Sequence, residues 1–149
     1  MKETEIKYDK EINLNSLLDL YNSVGWSNYT NDESREKLQD AIHNSTFVVS
    51  IWESEEKKLI GLARCISDDV SICYLQDILI NPNFQRQGLG NKLLKNCLER
   101  FKHVKTKILL TDDEEKQRLF YESFGYKNTR NIKKITLNTF IMMNGVELS

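Results

Sequence analysis

The chain has 149 residues, 40% of them hydrophobic and 29% charged, with a formal net charge of −1; this is the length of one globular domain able to bury a core. Its basic residues are scattered, and the slightly acidic balance argues against a nucleic-acid partner. No apolar run approaches the roughly 20 residues that span a bilayer, and the start, Met1-Lys2-Glu3-Thr4-Glu5, lacks the apolar stretch of a secretory leader. Three cysteines, Cys65, Cys73 and Cys97, and two histidines, His43 and His103, show no metal-ligand spacing. The expectation is therefore one cytoplasmic domain over residues 1–149, without metal or membrane contact, its cysteines serving as small core residues.

The region from Glu3 to Tyr8 reads as a first strand. Asn13 or Asn15 can cap a helix carrying Leu14, Leu17, Leu18, Tyr21 and Val24 at helical spacing. A loop from Gly25 to Thr30 holds Trp26 and Tyr29, and Asp32 then reads as the N-cap of a second helix ending near His43. The period next changes to two. Thr46 to Glu53, Leu59 to Ile66 and Val70 to Ile80 read as an antiparallel meander joined by charged or polar turns. Alternation along the last strand puts Cys73, Leu75, Asp77 and Leu79 on one face, with Ile72, Tyr74, Gln76, Ile78 and Ile80 on the other. A helix from Gly88 to Phe101 follows, with Leu89, Leu93, Leu94, Cys97, Leu98 and Phe101 as its buried stripe. Thr106 to Thr111 is β-rich. Asp112 or Asp113 can cap a helix running through Phe124, with Gly125 at its C′ position. Ile135 to Met143 reads as a final strand. Helices on both faces of a mixed sheet make an α/β layered domain.

The most informative segment lies between the third meander strand and the following helix: Gln85-Arg86-Gln87-Gly88-Leu89-Gly90. A strand, a glycine-containing turn and a helix start leave unpaired N–H donors at a positive dipole end, and Arg86 adds a charge, so the segment suits an anion. The alternative is a tight turn with no ligand. A dinucleotide fingerprint requires a third glycine where Leu93 stands, and a P-loop requires lysine-serine where Asn91-Lys92 stands; both are excluded.

The stretch from Tyr74 to Gly90 resembles motif A of the Gcn5-related N-acetyltransferases (GNAT), whose Gln/Arg-x-x-Gly-x-Gly/Ala places are filled by Gln85, Gly88 and Gly90. Leu119-Phe120-Tyr121-Glu122-Ser123-Phe124-Gly125-Tyr126 is similar to motif B of the same family. Glu114 and Gln117 stand where members often carry Asn and Ala, a departure on the cofactor side. The resemblance implies the GNAT fold, a mostly antiparallel sheet of six to seven strands flanked by about four helices. It implies an N-acetyltransferase that binds acetyl-CoA and acetylates a primary amine of a small molecule or peptide by direct attack. A non-catalytic acyl-CoA-binding module on the same fold is the alternative.

Carried onto this chain, the resemblance implies a pyrophosphate clamp at Gln85, Arg86, Gln87, Gly88, Leu89, Gly90 and Asn91. The backbone of Ile78, Leu79 and Ile80 would pair with the pantetheine arm, and an N–H of that strand, at Leu79 or a neighbour, would polarise the oxyanion. Tyr121 would be the general acid to the departing thiolate. Asp77, ionisable within an apolar row, is the candidate base or else a hydrogen-bonded structural residue. Trp26, Tyr29 and Gln76 are candidates to line the acceptor site, unless the two aromatics only cover the core edge. Arg64 and Arg130 are either contacts to an acidic acceptor group or surface charges. The last strand could pair across a homodimer.

Overall fold

The computed structural model describes residues 2–26 and 34–149; the expected cap Asp32 and the acceptor-site candidate Tyr29 lie outside them. The chain divides into two compact units, Met1–Leu110 and Thr111–Ser149.

The first unit is an α/β layer. Its strands β1 (Thr4–Lys7), β2 (Phe47–Glu53), β3 (Lys58–Ser67), β4 (Ile72–Ile80) and β5 (Thr106–Leu109) form one sheet in sequential order. The first three pairings are antiparallel, and β4 pairs with β5 in parallel. A parallel neighbour needs a crossover, here α3 (Leu89–Arg100). Helices α1 (Leu14–Ser23) and α2 (Arg35–Asn44) link β1 to β2. Asn13 starts α1 as foreseen: its side chain accepts from the amides of Asn15 (2.8 Å) and Ser16 (3.3 Å).

Strand β3 is buried from Leu59 to Cys65, because helices cover both of its faces. Leu62 packs with Leu17, Leu20, Leu38 and Ile42 of α1 and α2. A Cβ built on Gly61, pointing the other way, would stand 3.5 Å from Leu93 of α3 and only 2.8 Å from the Ile80 side chain. All three cysteines are buried and free. Among the described residues no helix is long and apolar enough to cross a membrane.

Two expectations change. The alternation drawn along β4 fails at Gln76. Arg64 is opposite Asp77 and Cys65 is opposite Leu75, so Gln76 is an extra residue without a β3 partner. One inserted residue exchanges the faces of everything beyond it. Asp77 and Leu79 share the α1–α2 face with Arg64 and Leu62, whereas Leu75 and Cys73 share the opposite face with Cys65. The sheet, moreover, has five strands among the described residues, against the six to seven expected. Ile135 to Met143 is not a strand; its period-two pattern is local, and a strand also needs a partner for its backbone. The second unit contains α4 (Glu115–Ser123), a 3-10 turn at Thr129–Asn131 and otherwise irregular chain.

Replacing Asn13 by Ala is expected to cost about 1 kcal/mol and to lower the thermal midpoint by about 2–4 °C. Scanning calorimetry that finds an unchanged midpoint would show that the cap carries no stability.

Candidate functional site

The pairing of β4 is asymmetric along its length. On one side β3 accompanies it from Cys73 to Ile80. On the other, β5 accompanies it only from Ile72 to Leu75. From Gln76 onward, among the described residues, the second edge is bare. In a strand, alternate N–H and C=O groups point to opposite edges, so this stretch presents donors and acceptors in strand geometry, of which Ile80 O already accepts from the Gln85 side chain. The bare stretch begins at the bulge, since an inserted residue bends the bulged strand.

At its end β4 runs into a shaped turn. Asn81 caps the short 3-10 turn Pro82–Phe84 with its side chain on the amide of Asn83 (2.9 Å), and its own N–H donates to Ile60 O (2.8 Å). The Gln85 side chain donates back to Ile80 O (3.2 Å), so it ties the turn to the strand. Two left-handed residues follow, Arg86 (φ 64°) and Gly88 (φ 76°). Such a conformation costs a non-glycine residue about 1–2 kcal/mol, and strain of this kind collects where backbone groups are aimed at a ligand. Gly88 is the N-cap of α3 and offers no side-chain cap. The first intrahelical bond is Lys92 N–H to Gly88 O (3.2 Å), which leaves the amides of Leu89, Gly90 and Asn91 without helical partners. A Cβ on Gly88 would meet nothing within 4 Å: glycine is required there by φ, and the space beside it is open. A bare strand edge, open space and unpaired donors at a helix start fit an extended ligand ending in phosphates.

Behind the bare edge lies a buried polar cluster. Arg64 Nε donates to Asp77 Oδ2 at 2.6 Å, and Tyr21 OH donates to the same oxygen at 2.8 Å. Arg64 Nη1 reaches Ser45 Oγ (3.3 Å) and Ala41 O (3.5 Å), while Ser45 Oγ donates to Ala41 O (2.7 Å). Arg64 is 4% exposed and Asp77 8%. Burial works against the Arg64 charge, but Asp77 and Tyr21 outweigh it and hold the guanidinium above its ordinary range. Burial first, and then the Asp77 charge, push the Tyr21 phenol well above its usual value. The same two causes raise Tyr74. Of the expected alternatives for Asp77, the structure provides the hydrogen-bonded, ion-paired one. Arg64 is neither a surface charge nor available to an acceptor anion.

The other expected residues separate. Gln76, Gln85, Arg86, Gly88 and Asn91 are exposed, Leu89 is buried, and Gln87 and Gly90 are intermediate. Trp26 is 41% exposed and lies edge-on to Tyr21, with ring centroids 6.0 Å apart. In the second unit Tyr121 is buried, packed edge-on against Phe120 (5.1 Å) and Tyr126 (5.9 Å). Gly125 follows α4 at φ 98°, as its C′ reading requires. Burial pushes the Tyr121 phenol up to about 12. Among the described residues no group of three or more His, Cys, Asp or Glu is placed to hold a metal. Sequence reading took Arg64 as an acceptor contact or surface charge and Tyr21 as a helix-face residue, and missed that both meet on Asp77. The available signal was a lone Arg and a lone Asp at matching depth in adjacent apolar strands.

A family model described as an acetyltransferase (GNAT) domain matches residues 11–144, running through both units. An uncharacterized N-acetyltransferase, ycf52, of Gracilaria tenuistipitata var. liui is 32% identical over 81% of this chain and 65% of its own length. Its namesake in Pyropia yezoensis is 28% identical over 84% of this chain and 71% of its own. The chain thus spans about two thirds of the length of these curated relatives. A GNAT-family acetyltransferase structure from Streptococcus pneumoniae TIGR4 superposes with a TM-score of 0.73 at 29% identity, covering 92% of this chain and 98% of that one.

The Tyr121 phenol has a folded pKa of about 12, above the value near 10 of an unfolded tyrosine. Its contribution to stability is therefore complete below about pH 10 and is lost as pH rises through about 12. Urea midpoints measured across that window should fall more steeply for the wild type than for Tyr121→Phe. Parallel curves would refute the buried state of this phenol.

Proposed function

The chain belongs to the acetyltransferase (GNAT) family, and we propose that it is an N-acetyltransferase carrying an acetyl group from acetyl-CoA to a primary amine of a small molecule or peptide. The observation that carries this reading is the bare edge of β4 from Gln76 to Ile80 leading into the uncapped, left-handed turn at Gly88. The amides from Gln85 to Asn91 would hold the pyrophosphate, with Arg86 as its countercharge. Gln85 contributes by position, through its bond to Ile80 O. The backbone of Ile78, Leu79 and Ile80 would hold the pantetheine arm as an added strand. Bound there, acetyl-CoA supplies an activated acyl carbonyl.

The chain's own groups then have limited chemistry to perform. N–H groups on the bare edge are fixed donors for a developing oxyanion. Tyr121, which burial keeps protonated far above neutral pH, is the proposed proton donor to the leaving thiolate and takes a proton back from solvent after CoA leaves. Asp77 is not assigned as base, because taking a proton would dismantle its pair with Arg64; the amine's proton goes to solvent. Trp26 and Gln76 are proposed to face the acceptor. A homodimer remains part of the proposal only through the exposed Ile135–Met143 segment.

Acetyl-CoA at a hundredfold excess over its Kd should stabilise the protein by about 2.7 kcal/mol, read as a thermal shift. Gly88→Val should weaken that binding at least about tenfold while the circular dichroism spectrum stays native, since the protein itself leaves room at this site and the strain of about 1–2 kcal/mol is local. Normal binding by this variant would refute the clamp.

In a thiol-release assay over an amine panel, Tyr121→Phe should lose about 10²–10⁴ in turnover with little change in KM for acetyl-CoA. Undiminished turnover would remove Tyr121 from the mechanism. Acetyl-CoA binding by the wild type without turnover on any amine would return the non-catalytic module.

A further inference from the structure

Asp77 stands next to the bulge residue Gln76, and its β3 partner Arg64 is the last β3 residue before the register shifts. That shift falls where β4 stops pairing with β5, since Leu75 is the final β4 residue opposite β5. Among the described residues, the one charged cross-strand pair of β3 and β4 therefore sits at the point where the bare edge begins. It is also the point where α1 is tied to the sheet, through Tyr21 OH on the same carboxylate oxygen, and where the end of α2 is tied, through Ser45 and Ala41 O.

A register without the bulge would place Gln76 opposite Arg64 and Asp77 opposite Ala63, on the face occupied by Leu75 and Cys65, and would leave Arg64 without its carboxylate in a dry site. Buried charges tolerate no such displacement. Apolar residues at these two positions would fill the space but would not distinguish one register from the next.

We propose that Arg64 is a positioning residue for acyl transfer, acting through Asp77 to fix the β4 bulge at Gln76 and hence the bare backbone edge from Gln76 to Ile80. Its consequence for catalysis rests on the acetyl-CoA reading above. Arg64 touches no reacting atom; it holds the strand whose amides do. The pair also accounts for an ionisable residue beside the bare edge: Asp77 is committed to Arg64 on the face opposite Ile78 and Ile80.

The deciding variant replaces the network with apolar groups, Tyr21→Phe/Arg64→Met/Asp77→Leu. Ser45 keeps its bond to Ala41 O, and no charge is left buried alone, so the variant is expected to fold with a thermal midpoint within a few degrees of the wild type. Acetyl-CoA affinity by calorimetry is expected to fall at least tenfold. Amide exchange over Gln76–Ile80 is expected to accelerate at least tenfold while β1–β2 amides stay protected.

A folded triple variant with wild-type affinity and wild-type exchange at these amides would overturn the proposal and leave the pair a stability feature only. Should the triple variant not fold, Arg64→Lys, which keeps the charge but loses the guanidinium fork, is expected to shift affinity and β4 exchange in the same direction; unchanged values in folded Arg64→Lys overturn the proposal equally. If the wild type itself does not bind acetyl-CoA, the functional reading fails, and the exchange rates at Gln76–Ile80 still decide whether Arg64 fixes the bulge.

Discussion

Arg64 and Asp77 face each other across β3 and β4 at 2.6 Å, both almost fully buried, and the geometry of the candidate site follows from where that pair sits. Taking two charges out of water costs several kcal/mol for each ion, which their attraction offsets only when the remaining hydrogen-bonding capacity is also filled. Tyr21 supplies the second donor to Asp77, and Ser45 and Ala41 O receive the other end of the guanidinium. The arrangement is thus satisfied as a unit, and removing one member would strand the others at about 3–5 kcal/mol. A single pair in this setting adds little net stability over a well-packed apolar core. What it adds is a fixed register at the one residue where register decides which backbone groups are free.

The glycine turn and the bare edge are two consequences of how β4 ends. Pairing with β5 stops at Leu75, next to the bulge, and the Asn81 cap with the Gln85–Ile80 bond ends the strand in a defined place. From that anchored end the chain must enter α3 through a left-handed residue, which Gly88 adopts without penalty and Arg86 adopts at a cost. Local strain at Arg86 is sustained because both flanks are rigid: a capped 3-10 turn before it, and behind it a helix whose Leu89, Leu93, Leu94 and Cys97 are buried. Donors arranged this way before a ligand arrives lose little freedom on binding, which is what preorganisation means in energetic terms.

Much of this architecture was legible in the sequence because it is encoded locally. Asn13 announces a helix start, the switch from a 3.6 to a 2 period marks the meander, and Gly88 and Gly125 mark chain reversals that only a positive φ allows. The bulge was not legible. No residue type marks it, and the buried-exposed alternation of β4 continues through Gln76 unchanged, so a period-two reading counts straight across it. The same reading therefore placed Asp77 in one row with Leu75 and Cys73, from which the register separates it. Ile135 to Met143 failed for the opposite reason: its local pattern is that of a strand, but a ladder requires a second chain segment, and pairing is not a property of the segment alone. Arg64 was visible as an oddity in an apolar run; its meaning required its partner to be known.

On the proposed reading, the site works chiefly by holding groups in place. The bare stretch of β4 carries one ionisable side chain, Asp77, and the fold turns it inward to Arg64 and Tyr21. What remains on the edge is backbone: strong, uncharged donors and acceptors at fixed spacing, with a dipole and unpaired amides at the far end. Such a surface cannot shuttle protons, but it can hold a thioester and an amine at reacting distance, and orientation of that kind can lower a barrier by about 7–11 kcal/mol. The proton that does need a protein donor is assigned to Tyr121, whose burial keeps it on the oxygen well past neutral pH. The division is consistent with the electrostatics. Had the Asp77 carboxylate stood unpaired beside the bare edge, its charge would lie next to the place where negative charge develops on the carbonyl, opposing the very donors that stabilise it. Committing that carboxylate to Arg64 removes the conflict, and in the same step pins the strand that presents the donors.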